Sequence, residues 1–307
     1  MSKTSKSPTE VLKTAYDIGK ASLPLYSHPR SPQKFTQPQL FACLVLKAFF
    51  QTDYRGIERI LTEWSDLRDV IEIEEVPHFT TLQKAEKRLL DKSNSQELLQ
   101  KTIEAALTKQ QMKRIVELAA IDGSGFESRH ISHYFVRRRS RHDTSHFQDI
   151  TYTKFPKLGV LCDCSSHMTL AISVGRGPSP DIKHFAAVLR EAVSRIPIRK
   201  LLADAGYDAE HAHEFARNKC GVESIIPPRI GRPTRRLPTA PWRRLMAKSF
   251  DKKAYGQRWQ VETVFSMLKR NLGSALKARK YRSQCRELQL KVITLNIMIL
   301  LALFFWC

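Results

Sequence analysis

The stretch VELAAIDGSG, Val116 to Gly125, decides the fold. Its first six residues form a short apolar run of the kind that makes a buried strand. Asp122-Gly-Ser-Gly reads as the turn that ends it. A second stretch, Lys200-Leu-Leu-Ala203, has the same form and also runs into an aspartate, Asp204. Around these two, the pattern predicts strands over 157–163 and 168–175, joined at Ser165-Ser166-His167. It predicts helices over 181–195 and 208–219, the second starting at Asp208 as N-cap and ending at Gly221. A strand over 222–226 is stopped by Pro227-Pro228. Strands alternating with helices place this part in the α/β class, with a mixed sheet.

Outward from that core the character changes. Residues 1–35 are rich in Ser, Pro and Lys and read as a flexible N-terminus. Residues 36–114 read as an all-α domain suited to DNA-end binding or dimerisation. Its helices run over 39–50 and 54–65, and a third begins at Phe79 with Thr80 or Thr81 as its cap. The α/β domain then spans 115–280. Within it, 228–244 is Pro/Arg-rich and reads as an extended loop, and a single helix follows from Tyr255. Residues 281–307 make a C-terminal apolar helix. Its apolar run, 292–307, contains Asn296 and is shorter than the ~18–20 residues of a membrane span, so it reads as buried in protein.

The chain has 307 residues and a net charge of +21, which points to a polyanion, and nucleic acid is the first candidate. A basic membrane-surface protein is the competing class. The six cysteines form no CxxC pair and the histidines no zinc spacing, so the thiols read as reduced. The first residues lack the apolar core of a secretory signal, and the expected location is cytoplasmic.

Two carboxylates, Asp122 and Asp204, share one setting, the end of an apolar strand, where α/β sites form. A third, Glu262, sits in Tyr255-Gly-Gln-Arg-Trp-Gln-Val-Glu-Thr-Val-Phe-Ser-Met-Leu-Lys-Arg270. On one continuous helix, Tyr255, Arg258, Glu262 and Lys269 would share a narrow stripe. Between Arg229 and Arg282 there are sixteen Lys or Arg and two acidic residues, Asp251 and Glu262. One carboxylate amid that charge suits a hard cation held against a phosphate. The competing reading is an ordinary i,i+4 pair of Arg258 with Glu262 on a solvated face. Asp163, Asp181 and Glu127 are further available carboxylates.

These residues resemble a known family. Tyr255-x2-Arg258-x3-Glu262-x6-Lys269 is similar to the Y-R-E-K signature of DDE transposases of bacterial insertion sequences, in the superfamily of insertion-sequence families four and five. Ala120-Ile-Asp122-Gly-Ser-Gly-Phe126 resembles that family's first block, and Leu202-Ala-Asp204-Ala-Gly-Tyr207 its second. The resemblance implies an RNase H-like catalytic core with Asp122, Asp204 and Glu262 holding Mg²⁺, with Mn²⁺ as substitute. It implies backbone contacts to double-stranded DNA, the terminal inverted repeats and then the target, from Tyr255, Arg258 and Lys269; Arg270, next to Lys269, is a further candidate for DNA contact. Trp259 is placed either to stack on an unpaired base or in the core. Arg137, Arg138 and Arg139, in a basic run, are candidates for further DNA contacts. The implied reactions are cleavage at the element's ends and 3′-OH strand transfer, by a homodimer in the synaptic complex. Alternatives are a catalytically silent DNA-binding descendant and another RNase H-like nuclease. Only 57 residues separate Asp204 from Glu262, too few for the large β-rich insertion that some members carry with a hairpin-forming cut.

Overall fold

The computed structural model describes residues 4–128, 155–177, 179–228 and 237–302. Contacts divide the chain into two units, Lys113–Ser266, and Met1–Met112 together with Met267–Cys307.

The second of these units is helical. It opens with α1 (Pro8–Ser22), where Ser7 Oγ accepts the Glu10 N–H and Pro8 sits in the first turn. Val11, Leu12, Ala15, Tyr16 and Ile18 form its buried face. This corrects the reading of 1–35 as a flexible N-terminus. In α2 (Gln37–Phe49) a capping box of Thr36 and Gln39 fixes the start, and Leu40 to Leu46 are buried on every side. Four more helices follow: α3 (Tyr54–Glu63), α4 (Ser65–Val70), α5 (Phe79–Leu89) and α6 (Lys92–Thr108). The cap of α5 is His78, whose Nδ1 faces the Thr80 N–H, rather than Thr80 or Thr81.

The Lys113–Ser266 unit is built on a five-stranded sheet: β1 (Val116–Gly125), β2 (Phe155–Asp163), β3 (Thr169–Gly177), β4 (Ile198–Leu202) and β5 (Glu223–Ile225). The spatial order is β3-β2-β1-β4-β5. The first three strands form an antiparallel meander, and β4 and β5 extend it in parallel with β1. α7 (Ile182–Arg195) buries Phe185, Val188, Leu189 and Ala192 and packs on β2 and β3. This is the mixed α/β sheet that the strand pattern predicts, and it is consistent with the RNase H-like core that the resemblance implies.

β1 does not end at Asp122. It pairs with β2 as far as Gly125 against Lys157, while its parallel partner β4 pairs only to Ala120 against Leu202. Asp122-Gly-Ser-Gly is therefore strand, and its glycines mark close approach rather than a turn. A Cβ on Gly125 would lie 2.8 Å from the Phe155 ring.

After β4 come a 3₁₀ turn over Ala205–Tyr207, α8 (Glu210–Glu214) and a wider turn over Phe215–Lys219, closed by Gly221 at φ +67°. The cap of α8 is Ala209, not Asp208. The end of the Pro/Arg-rich stretch is helical, not extended, as α9 (Pro241–Lys248). The helix expected from Tyr255 is two pieces, α10 (Lys252–Tyr255) and α11 (Trp259–Leu272). Between Asp204 and Glu262, β5 is the one strand among the described residues.

The helical unit is completed by α12 (Tyr281–Ala302), which packs on α1, α2, α5 and α6. The apolar residues from Val292 to Leu301 are buried, and the Asn296 amide donates to Thr102 Oγ1 at 3.0 Å. Residues 281–302 thus group with the N-terminal helices instead of standing apart. Among the described residues no helix is long and apolar enough to cross a membrane.

Candidate active site

Asp122 lies in β1 opposite Val160, and strand alternation turns its side chain to the face opposite that of Gly123. On the Gly123 face sits Asp181, just before α7. A Cβ at Gly123 would fall 2.1 Å from Asp181 Oδ1 and 3.2 Å from Lys157 Cε. Lys157 pairs with Asp181 at 2.8 Å and donates to the Ser179 carbonyl at 2.8 Å. Asp181 therefore packs on the face of the strand opposite the Asp122 side chain, although its charge still acts on Asp122. Asp163 is also out of the set: it sits level with Ala119, occupied by hydrogen bonds from Ser165 and Ser166.

Asp204 follows β4 by two residues. The last pair between the two strands is Leu202 with Ala120, and Asp204 and Asp122 each lie two residues beyond it. Its Oδ1 accepts the Gly206 N–H at 2.9 Å and opens the 3₁₀ turn. Burial raises the Asp122 pKa, and the nearby Asp204 charge raises it further, against the Gly123 N–H and Arg258, which lower it. Tyr207, buried behind them, has its hydroxyl pushed far up, first by burial and then by the charges of Asp181, Asp122 and Asp204.

Glu262 is in the first turn of α11, whose Val261, Val264 and Phe265 are buried. Arg258 precedes the helix, in a run of turns whose bonds include Gln257 N–H to Ala254 O and Arg258 N–H to Tyr255 O. The guanidinium pairs with Glu262 through Nη2 and reaches Asp122 Oδ2 with Nη1 at 3.6 Å. Asp122 and Arg258 are each 22% exposed and Glu262 55%. Arg258 thus bridges a carboxylate on the sheet and one on the helix. The i,i+4 pair is real, but it belongs to a larger cluster rather than to a solvated stripe.

Tyr255 lies close to this cluster; burial raises its hydroxyl pKa most, the Arg258 charge opposes this, and the Asp204 and Asp122 charges add to it. The single-helix stripe is corrected here. The break at Gly256–Arg258 puts Tyr255 and Arg258 ahead of α11, because i→i−3 bonds tighten the chain there. Trp259 is 52% exposed, so it is not a core residue. Lys269 and Arg270 are on the last turn of α11, in the helical unit. Arg137, Arg138 and Arg139 lie outside the described residues.

The donors at this centre are carboxylate oxygens, the set that hard divalent cations prefer. Among the described residues no group of three His, Cys, Asp or Glu side chains is arranged to hold a metal. Asp122 and Glu262 nevertheless already share a cation, the Arg258 guanidinium. Their chemistry and shared positive partner fit a divalent cation.

A family model of the transposase DDE domain matches residues 117–297, more than half of the chain. The chain belongs to the transposase DDE family. The match begins inside β1 and ends inside α12, so it spans Asp122, Asp204 and Glu262. No curated protein matches the chain. Family membership carries transposase function, nuclease and transposition chemistry on DNA, and, for the family in general, a requirement for divalent metal ions.

Several residues that shape this DDE unit carry no sequence signal. Arg243, on α9, grips the fully buried Asp208 carboxylate with contacts of 2.7 to 3.0 Å. Glu210 accepts the Trp242 and Arg243 N–H groups. His167 and Gln260 meet across 93 residues of sequence.

Proposed function

We propose that this transposase cuts DNA at the terminal inverted repeats of its own element and joins the freed 3′-OH to target DNA, with Asp122, Asp204 and Glu262 as the metal-holding triad. The observation that carries this is the Asp122–Arg258–Glu262 bridge, with Asp204 two residues past the end of the strand that pairs with that of Asp122. The Y-R-E-K spacing, Tyr255, Arg258, Glu262 and Lys269, supports a place among the insertion-sequence families four and five.

Mg²⁺, or Mn²⁺ in its place, held by the three carboxylates would supply Lewis-acid activation and neutralise phosphate charge. The protein's own groups position the reactants. In the first reaction water attacks the phosphodiester at the element's end, and the 3′ oxygen leaves as a 3′-OH. In the second that 3′-OH attacks a target phosphodiester, displacing another 3′ oxygen. Both are in-line displacements, so no covalent link to the enzyme is required.

Arg258 holds two carboxylates without DNA and grips a backbone phosphate when DNA arrives. Tyr255, beside Arg258, approaches the same phosphate. Lys269 and Arg270 add backbone contacts that set register and not sequence. Exposed Trp259 stacks on an unpaired base at the cut end. Two ends in one synaptic complex call for a homodimer on double-stranded DNA, in the cytoplasm.

The test is a cleavage and strand-transfer assay with Mg²⁺ or Mn²⁺ on DNA bearing the element's ends. Joined products from the wild type support a transposase of this route. Nicks without joined products point to a plain nuclease, and binding without nicks to a silent DNA-binding descendant.

A further inference from the structure

The turn between β2 and β3 is buried except at Ser165, which is unusual for a connection: Asp163, Ser166 and His167 are 5%, 4% and 3% exposed. It is built from its own side chains. The Asp163 carboxylate accepts the N–H groups of Ser165 at 3.1 Å and Ser166 at 3.0 Å, and the Ser166 hydroxyl at 2.6 Å. The His167 N–H donates to the Asp163 carbonyl, and the Asp163 N–H to the Met168 carbonyl. His167 is held at φ +63°, a conformation that favours glycine.

That strained backbone delivers the imidazole to one place. His167 Nε2 lies 2.5 Å from Gln260 Oε1, in the first turn of α11. Gln260 in turn donates from Nε2 to Gln257 Oε1 at 3.2 Å. The buried face of α11, Val261, Val264 and Phe265, seats the helix, and Gln260 adds a polar anchor at its start. Arg258 and Glu262 stand two residues on either side of Gln260. Pinning Gln260 therefore contributes to the angle at which both are presented to Asp122.

We propose that His167 and Gln260 are positioning residues of the carboxylate centre: their hydrogen bond helps set the rotation of α11 so that Glu262 and Asp122 converge on a cation. The proposal rests on the reading of Glu262 as a cation ligand.

The experiment is Mn²⁺ titration of the full DNA-free chain, followed by metal-paramagnetic signal, beside the kcat and KM of end cleavage. Gln260→Leu removes the acceptor. His167→Gly removes the ring while suiting the left-handed backbone, so the turn is kept. Gln260→Glu retains an acceptor for the imidazole. Gln260→Leu and His167→Gly should weaken Mn²⁺ binding by about tenfold, within the range for groups that orient ligands. They should lower kcat with KM for DNA unchanged, and Gln260→Glu should keep both near wild type. If Gln260→Leu and His167→Gly bind Mn²⁺ and turn over as the wild type does, while Glu262→Gln loses Mn²⁺ binding, the pin is only structural and the proposal fails. If Glu262→Gln itself leaves Mn²⁺ binding unchanged, the reading beneath the proposal fails, and the proposal with it.

Discussion

Arg258 Nη1 stands 3.6 Å from Asp122 Oδ2, and the other arm of the same guanidinium holds Glu262. One side chain thus neutralises two carboxylates that come from the sheet and from a helix. It competes with any cation that the same oxygens would bind.

Arg258→Ala should therefore act in opposite directions on two partners. In DNA-free protein, Mn²⁺ binding tightens by roughly fivefold, equivalent to about 1 kcal/mol for a partly exposed pair. DNA binding weakens, and its salt dependence falls by about one phosphate contact. Calorimetric Mn²⁺ titration and filter binding at several salt concentrations check the two halves. Weaker binding of both ligands would show that Arg258 does not compete with the cation.

Gly123 is small because Asp181 occupies its side-chain space, 2.1 Å from where a Cβ would be. Gly123→Ala should push Asp181 off Lys157 and destabilise the protein by about 1–2 kcal/mol, as overpacking does. Asp181→Ala should relieve most of that cost in the double variant. A thermal double-mutant cycle reads the coupling, and additive losses would mean that the two sites do not touch.

How much of this was legible follows the range of the interactions. The strands at 116–121 and 200–203 announce themselves through local apolar runs, and Asp122 and Asp204 through their place in them. Gly123 and Gly125 read as a turn because the groups that crowd them, Asp181 and Phe155, are tens of residues away. The α1 helix had a local signal, Ser7-Pro8-x-Glu10 ahead of Val11, Leu12 and Ala15, masked by the Ser, Pro and Lys around it. The break before Trp259 carried little warning, since Gly256 alone marks it. The links from Arg258 to Asp122 and from His167 to Gln260 cross more than ninety residues, and no periodicity reports them.

The pH dependence of stability should carry the mark of His213. It is fully buried, with Nδ1 2.8 Å from Ser224 Oγ. Burial, the largest cause, lowers its pKa; Asp208 opposes this, Arg217 reinforces it, and Glu210 and Arg243 add smaller effects of opposite sign. Below its ordinary value of about 6.5 the unfolded chain binds a proton that the folded chain refuses. Stability is therefore lost as pH falls from there towards the lowered folded value, by up to about 1.4 kcal/mol per pH unit. Above about 6.5 the effect vanishes. Denaturation at pH 7.5 and pH 5.5 should show a smaller difference in His213→Gln than in the wild type. An equal difference in both would acquit His213.

In the helical unit, Lys47 and Glu86 form a buried ion pair at 2.6 Å, 11% and 5% exposed. Lys47→Met strands the Glu86 charge and should cost about 3–5 kcal/mol. Adding Glu86→Leu should recover most of it. Chemical denaturation of the single and double variants decides this. A single variant as stable as wild type would mean that the pair is not buried in solution.

The most direct test of the active centre is end cleavage by Asp122→Asn, Asp204→Asn and Glu262→Gln, with DNA affinity measured on the same preparations. All three should lose cleavage by several orders of magnitude while binding end DNA as the wild type does. Wild-type cleavage by any one of them would contradict the assignment of that carboxylate, and with it the three-carboxylate centre.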